Sequence, residues 1–177
     1  MANQASKSAD AVSDNQRGQW SERTPSELVA LILERFHQPL RRDLPALLAS
    51  ARAVEEAHCR HASCPTGLVA LLEEILRSVE SHLEKEEKIL FPLITAGRGG
   101  LAFMPVKVMM AEHQDHLANL QRIADITRRF ALPADAGADW RALFDGLSRL
   151  DRDLREHIDL ENDVLFPRVL GGDTGAG

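Results

Sequence analysis

The sequence predicts an all-α protein folded as an up-down-up-down four-helix bundle. Three observations carry that expectation. Four long stretches, at about 25–57, 66–94, 103–131 and 138–168, place apolar residues at alternating spacings of four and three, the rhythm of one helix face. The breakers between them, CPTG, AGRGG and LPADAG, are short. No segment reads as a strand. Long helices on short connections must double back, and burying four apolar faces together makes a bundle.

Residues 1–23 are rich in Ala, Ser, Asp, Gln and Asn, with Trp20 the only large apolar group after Val12. Such a composition does not offset the entropy of ordering, so a disordered tail is expected there. The bundle domain is expected over 24–171, with a flexible tail at 172–177. Thr24, Pro25 and Glu27 form a capping-box signature at its start. The first stretch gives a seam of Leu33, His37, Leu40, Leu44, Leu47, Ala51 and Val54. Pro39 lacks the N–H that would bond Arg35 and is expected to kink this helix. The second stretch gives Leu68, Leu72, Ile75, Val79, His82, Glu86 and Ile89. The third gives Val106, Met109 or Met110, His113, Leu117 and Leu120, and the fourth Leu143, Leu147, Leu150, Leu154, His157, Glu161 and Val164.

A chain of 177 residues suits one domain with a substantial core. No apolar run approaches the roughly 18 residues of a membrane span. The polar first residues show no charged-then-apolar leader. A soluble, cytoplasmic protein without a membrane partner is expected. The net charge of −6, with both signs interleaved, argues against a nucleic-acid partner. Cys59 and Cys64 make no disulfide framework. The chain has no tyrosine, which excludes tyrosyl-radical chemistry and phenolate ligands.

One motif is written twice. HLEKEEKILFP begins at His82 and HIDLENDVLFP at His157, with His, Glu, Leu, Phe and Pro at the same offsets. At about 100° per residue, His82 shares a helix face with Glu86, and His157 with Glu161. A surface ion pair would leave the apolar seam intact, whereas these pairs interrupt it. Two carboxylates in an apolar core cost several kcal/mol each unless paired or bound to metal, and no Lys or Arg lies on the seam near them. His37 and His113 lie near the starts of their helices, His82 and His157 near the ends of theirs. In an antiparallel bundle all six groups therefore fall in one layer, roughly 15–18 Å in. His113 follows His37 by 76 residues and His157 follows His82 by 75, so each helical hairpin brings one lone His and one His-x3-Glu. That duplication suits two metals, each with two imidazoles, bridged by Glu86 and Glu161. Iron, manganese and zinc all accept such donors. Two irons fit best without thiolates, and a single metal, zinc or a purely structural polar layer stand as alternatives.

At these residues the sequence resembles the hemerythrin-like domain of the iron–sulfur cluster repair di-iron proteins, the repair-of-iron-centres family. RFHQPLRRDLPAL, SHLEKEEKILFP, AEH and DLENDVLFPR carry the resemblance, which runs from about 25 to 171. It implies iron ligands at His37, His82, Glu86, His113, His157 and Glu161, the six that interrupt the seam. It further implies two non-haem irons per chain, oxygen-bridged when oxidised, in a protein of nitric oxide or oxidative stress. Such a protein binds nitric oxide at the centre or supplies iron to damaged iron–sulfur proteins. Full-length members carry an N-terminal domain with a cysteine pair, where this chain has its short tail; a repair step needing those cysteines would be lost or borrowed from a partner.

Two other function classes are open. An oxygen-binding carrier or sensor of hemerythrin type would use dioxygen as its ligand, but carriers place a His-x3-His on the third helix, where Leu117 stands here. A di-iron ferroxidase of ferritin type reads Glu-x2-His rather than His-x3-Glu. Whether the protein is an enzyme stays open.

Several residues have plainer readings. His116, one turn past His113, is expected to be a boundary polar residue, with contact to the metal site as the alternative. His58 matches a histidine of the resembled family, yet it lies 21 residues from His37, about 31 Å along a straight helix. HCRHASC, with His58, Cys59, His61 and Cys64, lacks a usual zinc spacing and is expected to be a helix-ending loop. Glu84, Glu87, Glu156 and Asp159 point off the seam and are expected in solvent, with a hydrogen bond to a ligand as the alternative.

Overall fold

The bundle starts at the predicted cap. Glu27 N–H donates to the Thr24 hydroxyl at 3.2 Å, and Thr24 N–H donates to the Glu27 carboxylate at 2.7 Å. The computed structural model describes residues 14–171, and among them there is no strand. Its helices are α1 (Asp14–Ser21), α2 (25–57), α3 (68–95), α4 (Phe103–Ile126) and α5 (138–170), with a 3-10 turn at Gly99–Leu101. α3 packs between α2 and α4, and α5 closes the ring against both. No helix among the described residues is long and apolar enough to cross a membrane.

Three of the four long helices widen at the same depth. π-turns occupy Leu33–His37 in α2, Glu86–Leu90 in α3 and Glu161–Leu165 in α5. Each is followed, two residues on, by a proline: Pro39, Pro92 and Pro167. A proline inside a helix donates nothing to the carbonyl four residues back, and its ring presses on that carbonyl. One extra residue in the turn relieves the contact and carries the ladder past it. Gln38 N–H donates to Leu33, Phe91 N–H to Glu86 and Phe166 N–H to Glu161. In α4, Pro105 lies in the first turn, where no N–H is required, and the helix stays α throughout. The kink expected at Pro39 is thus a local widening.

The widening also corrects the predicted seam. An extra residue in a turn rotates the following side chains by one position. Ile89 is 53% exposed and Leu90 is buried in its place, Leu165 is buried beside Val164, and Ile32 is the buried residue where Leu33 was expected. In α4 the seam takes Met109, while Met110 is exposed.

Two further expectations change. The tail expected through residue 23 is helical from Asp14 to Ser21, and Trp20 is buried against Leu28, Val29 and their neighbours. Burial of one indole, with an Arg17–Asp163 pair at 3.0 Å, holds a segment whose average composition is polar. The expectations for residues 1–13 and 172–177 fall outside the described residues. The third helix ends at Ile126 rather than about 131, because Arg128, Arg129 and Phe130 take left-handed backbone angles, φ 50°, 58° and 59°. Arg129 N–H returns to the Ala124 carbonyl at 2.6 Å to close the end.

Two apolar clusters result. One runs from Leu40 to Val54 on α2 with Leu68–Leu83, Leu120, Ile123 and Trp140–Ile158; the other gathers Trp20, Leu28, Ile32, Phe36, Leu90, Phe91, Val106 and Phe166. Between them lies a polar layer.

Candidate metal centre

That layer holds all six predicted residues. His37, Glu86, His113 and Glu161 have no exposed surface, and His82 and His157 almost none. They form two overlapping sets of four, His37–Glu86–His157–Glu161 and His82–Glu86–His113–Glu161, in each of which one donor atom per residue lies within 4.8 Å of the others. Glu86 and Glu161 belong to both.

Every imidazole turns Nε2 inward. Nε2 of His37 lies 3.3 Å from Glu86 and that of His82 3.4 Å from it; Nε2 of His113 lies 3.1 Å and that of His157 3.2 Å from Glu161. The Nε2 atoms of His82 and His113 approach to 3.2 Å, so two lone pairs face one another unless a cation stands between them. Both oxygens of Glu86 and of Glu161, with Nε2 of His37 and His157, are buried without a hydrogen-bond partner. Such orphaned groups are costly. A cation shared among them removes that cost. Neutral nitrogen and carboxylate oxygen are donors suited to iron, manganese or zinc, so the residues fit a metal.

The ionisation states agree. Burial, reinforced by the charge on His157, lowers His37 to about 4, and burial with His113 lowers His82 to about 3. Both rings are neutral near pH 7, with lone pairs free to bind. Burial and the neighbouring Glu161 drive Glu86 well above the usual carboxylate range. Burial pushes Glu161 the same way, but His157 and His113 outweigh it and hold this carboxylate below its usual value. Without a cation the pair cannot carry two charges.

The outward nitrogens are held as well. His37 Nδ1–H donates to Glu87 at 2.8 Å, and Arg41 grips the same carboxylate oxygen at 2.6 Å. His82 Nδ1–H donates to Glu112 at 2.9 Å, and Lys85 is paired with Glu112. His113 Nδ1–H donates to the Asn162 amide oxygen at 2.9 Å. Such partners fix the tautomer and aim of a ligating ring. Glu87 is therefore not merely solvated. Glu84 instead pairs with Lys88, and Glu156 with Arg35. The repeated Phe of each LFP packs on the lone His of its own hairpin: Phe91 on His37, centroids 5.6 Å apart, and Phe166 on His113, 5.9 Å apart. Phe supplies an apolar wall, and Pro sets the widened turn.

Asn162 and Glu112 were not picked out from the sequence as parts of this layer. A signal for the first existed, since Glu87 and Asn162 each follow the glutamate of a duplicated motif by one residue. His116 is buried rather than at the boundary, 3% exposed, with its ring edge-on to His82 at 4.8 Å and neither nitrogen partnered. His58 and His61 lie at the opposite end, against Trp140 at 4.8 and 5.4 Å, with Asp139 and Asp135 beside them. They join neither set of candidate ligands, and Cys59 and Cys64 are free thiols.

Known proteins resemble this sequence over most of its length. Residues 29–169 match the family described as the hemerythrin HHE cation binding domain. The chain is 42% identical to the iron-sulfur cluster repair protein YtfE of Edwardsiella ictaluri over 162 residues, 92% of this chain and 73% of that protein. It is 41% identical to a probable iron-sulfur cluster repair protein of Haemophilus influenzae, over 89% of this chain and 70% of the relative. With the family matched across the helices that carry the buried layer, the chain belongs to the hemerythrin HHE cation binding domain family.

Proposed function

We propose that this protein holds two non-haem irons in the buried layer and serves in repair of damaged iron–sulfur proteins, binding nitric oxide at the centre or supplying iron from it. The observation that carries the reading is the pair of overlapping donor sets sharing Glu86 and Glu161. In this reading His37 and His157 would hold one iron and His82 and His113 the other, with Glu86 and Glu161, common to both sets, available to each. The relatives named as cluster repair proteins support the role. Every proposed ligand lies within residues 24–171.

When bound, the irons would supply redox-active Lewis-acid positions for a small diatomic ligand. The chain's own residues do the rest. Glu87, Glu112 and Asn162 hold three imidazoles in one tautomer with Nε2 inward. Phe36, Phe91 and Phe166 wall the layer with apolar rings and limit water. His-x3-Glu on paired helices separates the arrangement from the ferritin type.

The test is iron analysis followed by anaerobic stopped-flow mixing of the reduced protein with nitric oxide. About two irons per chain and a rapid optical change, lost in His82→Ala and His157→Ala, are expected. Reversible oxygenation without a response to nitric oxide would instead make it a carrier or sensor. Oxidation of ferrous iron over many turnovers would make it a ferroxidase.

A further inference from the structure

We infer that the two metal positions are unequal, and that the one served by His37 and His157 gives up its ion first, toward the groove floored by Phe36. The inference rests on the two-iron reading above and adds which position exchanges and by what route.

The duplicated hairpins differ at one point. The residue before each lone histidine reaches the His-x3-Glu histidine of the other hairpin. In α4 that residue is Glu112, which accepts a hydrogen bond from His82 Nδ1 at 2.9 Å and is itself held by Lys85. In α2 it is Phe36, whose ring lies flat on His157, centroids 5.1 Å apart and planes 10° apart. A stacked face offers no acceptor along the ring edge. His157 Nδ1 is accordingly buried with no partner, alone among the four inward-facing imidazoles. Loss of such a partner typically weakens metal affinity about 10–100-fold. The deficit falls on one position only, because both histidines of the other position are held, by Glu112 and Asn162.

A second, independent feature lies on the same side. A groove of about 420 Å³ runs between α2 and α5, lined by Arg35, Phe36, Leu40, Leu47 and Leu150 among others. Phe36 lines it and stacks on His157, which does not line it. Arg35 lies over the Phe36 ring at 5.3 Å and pairs with Glu156 at 2.6 Å, with its own side chain 45% exposed. One aromatic ring under a half-exposed arginine thus stands between the weaker position and open space. On the far side, His82 is backed by the Glu112–Lys85 pair.

The experiment is release of ferrous iron from the fully reduced protein (dithionite, excess removed) to excess ferrozine under anaerobic conditions, after counting iron in the same sample. Wild type with two irons should release them in two phases of equal amplitude, separated by about 10–100-fold in rate. Glu112→Ala, at a part-exposed position, should accelerate the slow phase about tenfold and leave the fast phase alone. Phe36→Gln, which places an amide acceptor beside His157, should tighten equilibrium binding of the weaker iron in a chelator titration, a readout that loss of the ring as a kinetic barrier does not move. Single-phase release from protein carrying two irons, or a Glu112→Ala effect on the fast phase alone, would overturn the inference while leaving the two-iron reading intact. Protein that takes up no iron would overturn both.

Discussion

Replacing Glu86 by Met should stabilise the protein without metal and destabilise it, relative to wild type, with metal. Glu86 has no exposed surface, touches no Lys or Arg, and leaves both oxygens unpartnered. A buried carboxyl left without a hydrogen-bond partner costs about 1–3 kcal/mol, a cost that an apolar side chain of similar volume avoids. Taking about 2 kcal/mol, and a shift of about 2–4 °C per kcal/mol for a chain of this length, the metal-free variant should melt roughly 4–8 °C above wild type. Metal reverses the order. Glu86 belongs to both donor sets, so its loss removes a ligand from each position. Wild type should gain about 4 kcal/mol for each metal position when free metal exceeds that position's Kd a thousandfold, about 8 kcal/mol for two, and the variant almost none. Thermal melts with chelator and with added ferrous iron, beside metal analysis, read both signs. His37→Gln supplies the contrast, because His37 belongs to one set and should cost chiefly one metal. A fully loaded Glu86→Met protein, or one less stable than wild type under chelation, would refute the reasoning.

Trp20→Ala should cost about 3–5 kcal/mol in urea unfolding, the usual loss for a buried large aromatic, whereas a truly disordered tail would give no change. His116→Leu should raise the stability of the metal-free protein, since it removes two buried nitrogens that have no partner; a fall would mean the ring is hydrogen-bonded in solution. The metal-free protein should also lose stability as pH falls below about 6.5. The unfolded chain takes up protons near that value, while folded His37 and His116, both near 4, and His82, near 3, resist them. The loss should therefore accumulate between about 6.5 and 3–4, and a flat urea midpoint from pH 7 to 5 would contradict it.

The sequence by itself determined the helical fold and the composition of the buried layer, because both follow from spacing along single helices. A four-three rhythm fixes which residues share a face, and His82 with Glu86, or His157 with Glu161, must then share the buried face with Leu. The capping box at Thr24 is equally local, three residues and two hydrogen bonds. What surrounds the ligands was decided in three dimensions. Glu112 and Glu87 look like surface acids along their own helices, and only the packing of α3 between α2 and α4 sets them against His82 and His37. Trp20 looked like part of a tail until a second cluster of side chains gave its ring a place to bury. The shift from Ile89 to Leu90 depends on a turn widened by a proline beyond it, which a fixed helical period cannot represent. The unequal backing of His82 and His157 likewise arises across hairpins: Glu112 and Phe36 stand at equivalent places in the repeat, and only the folded bundle shows which histidine each one meets.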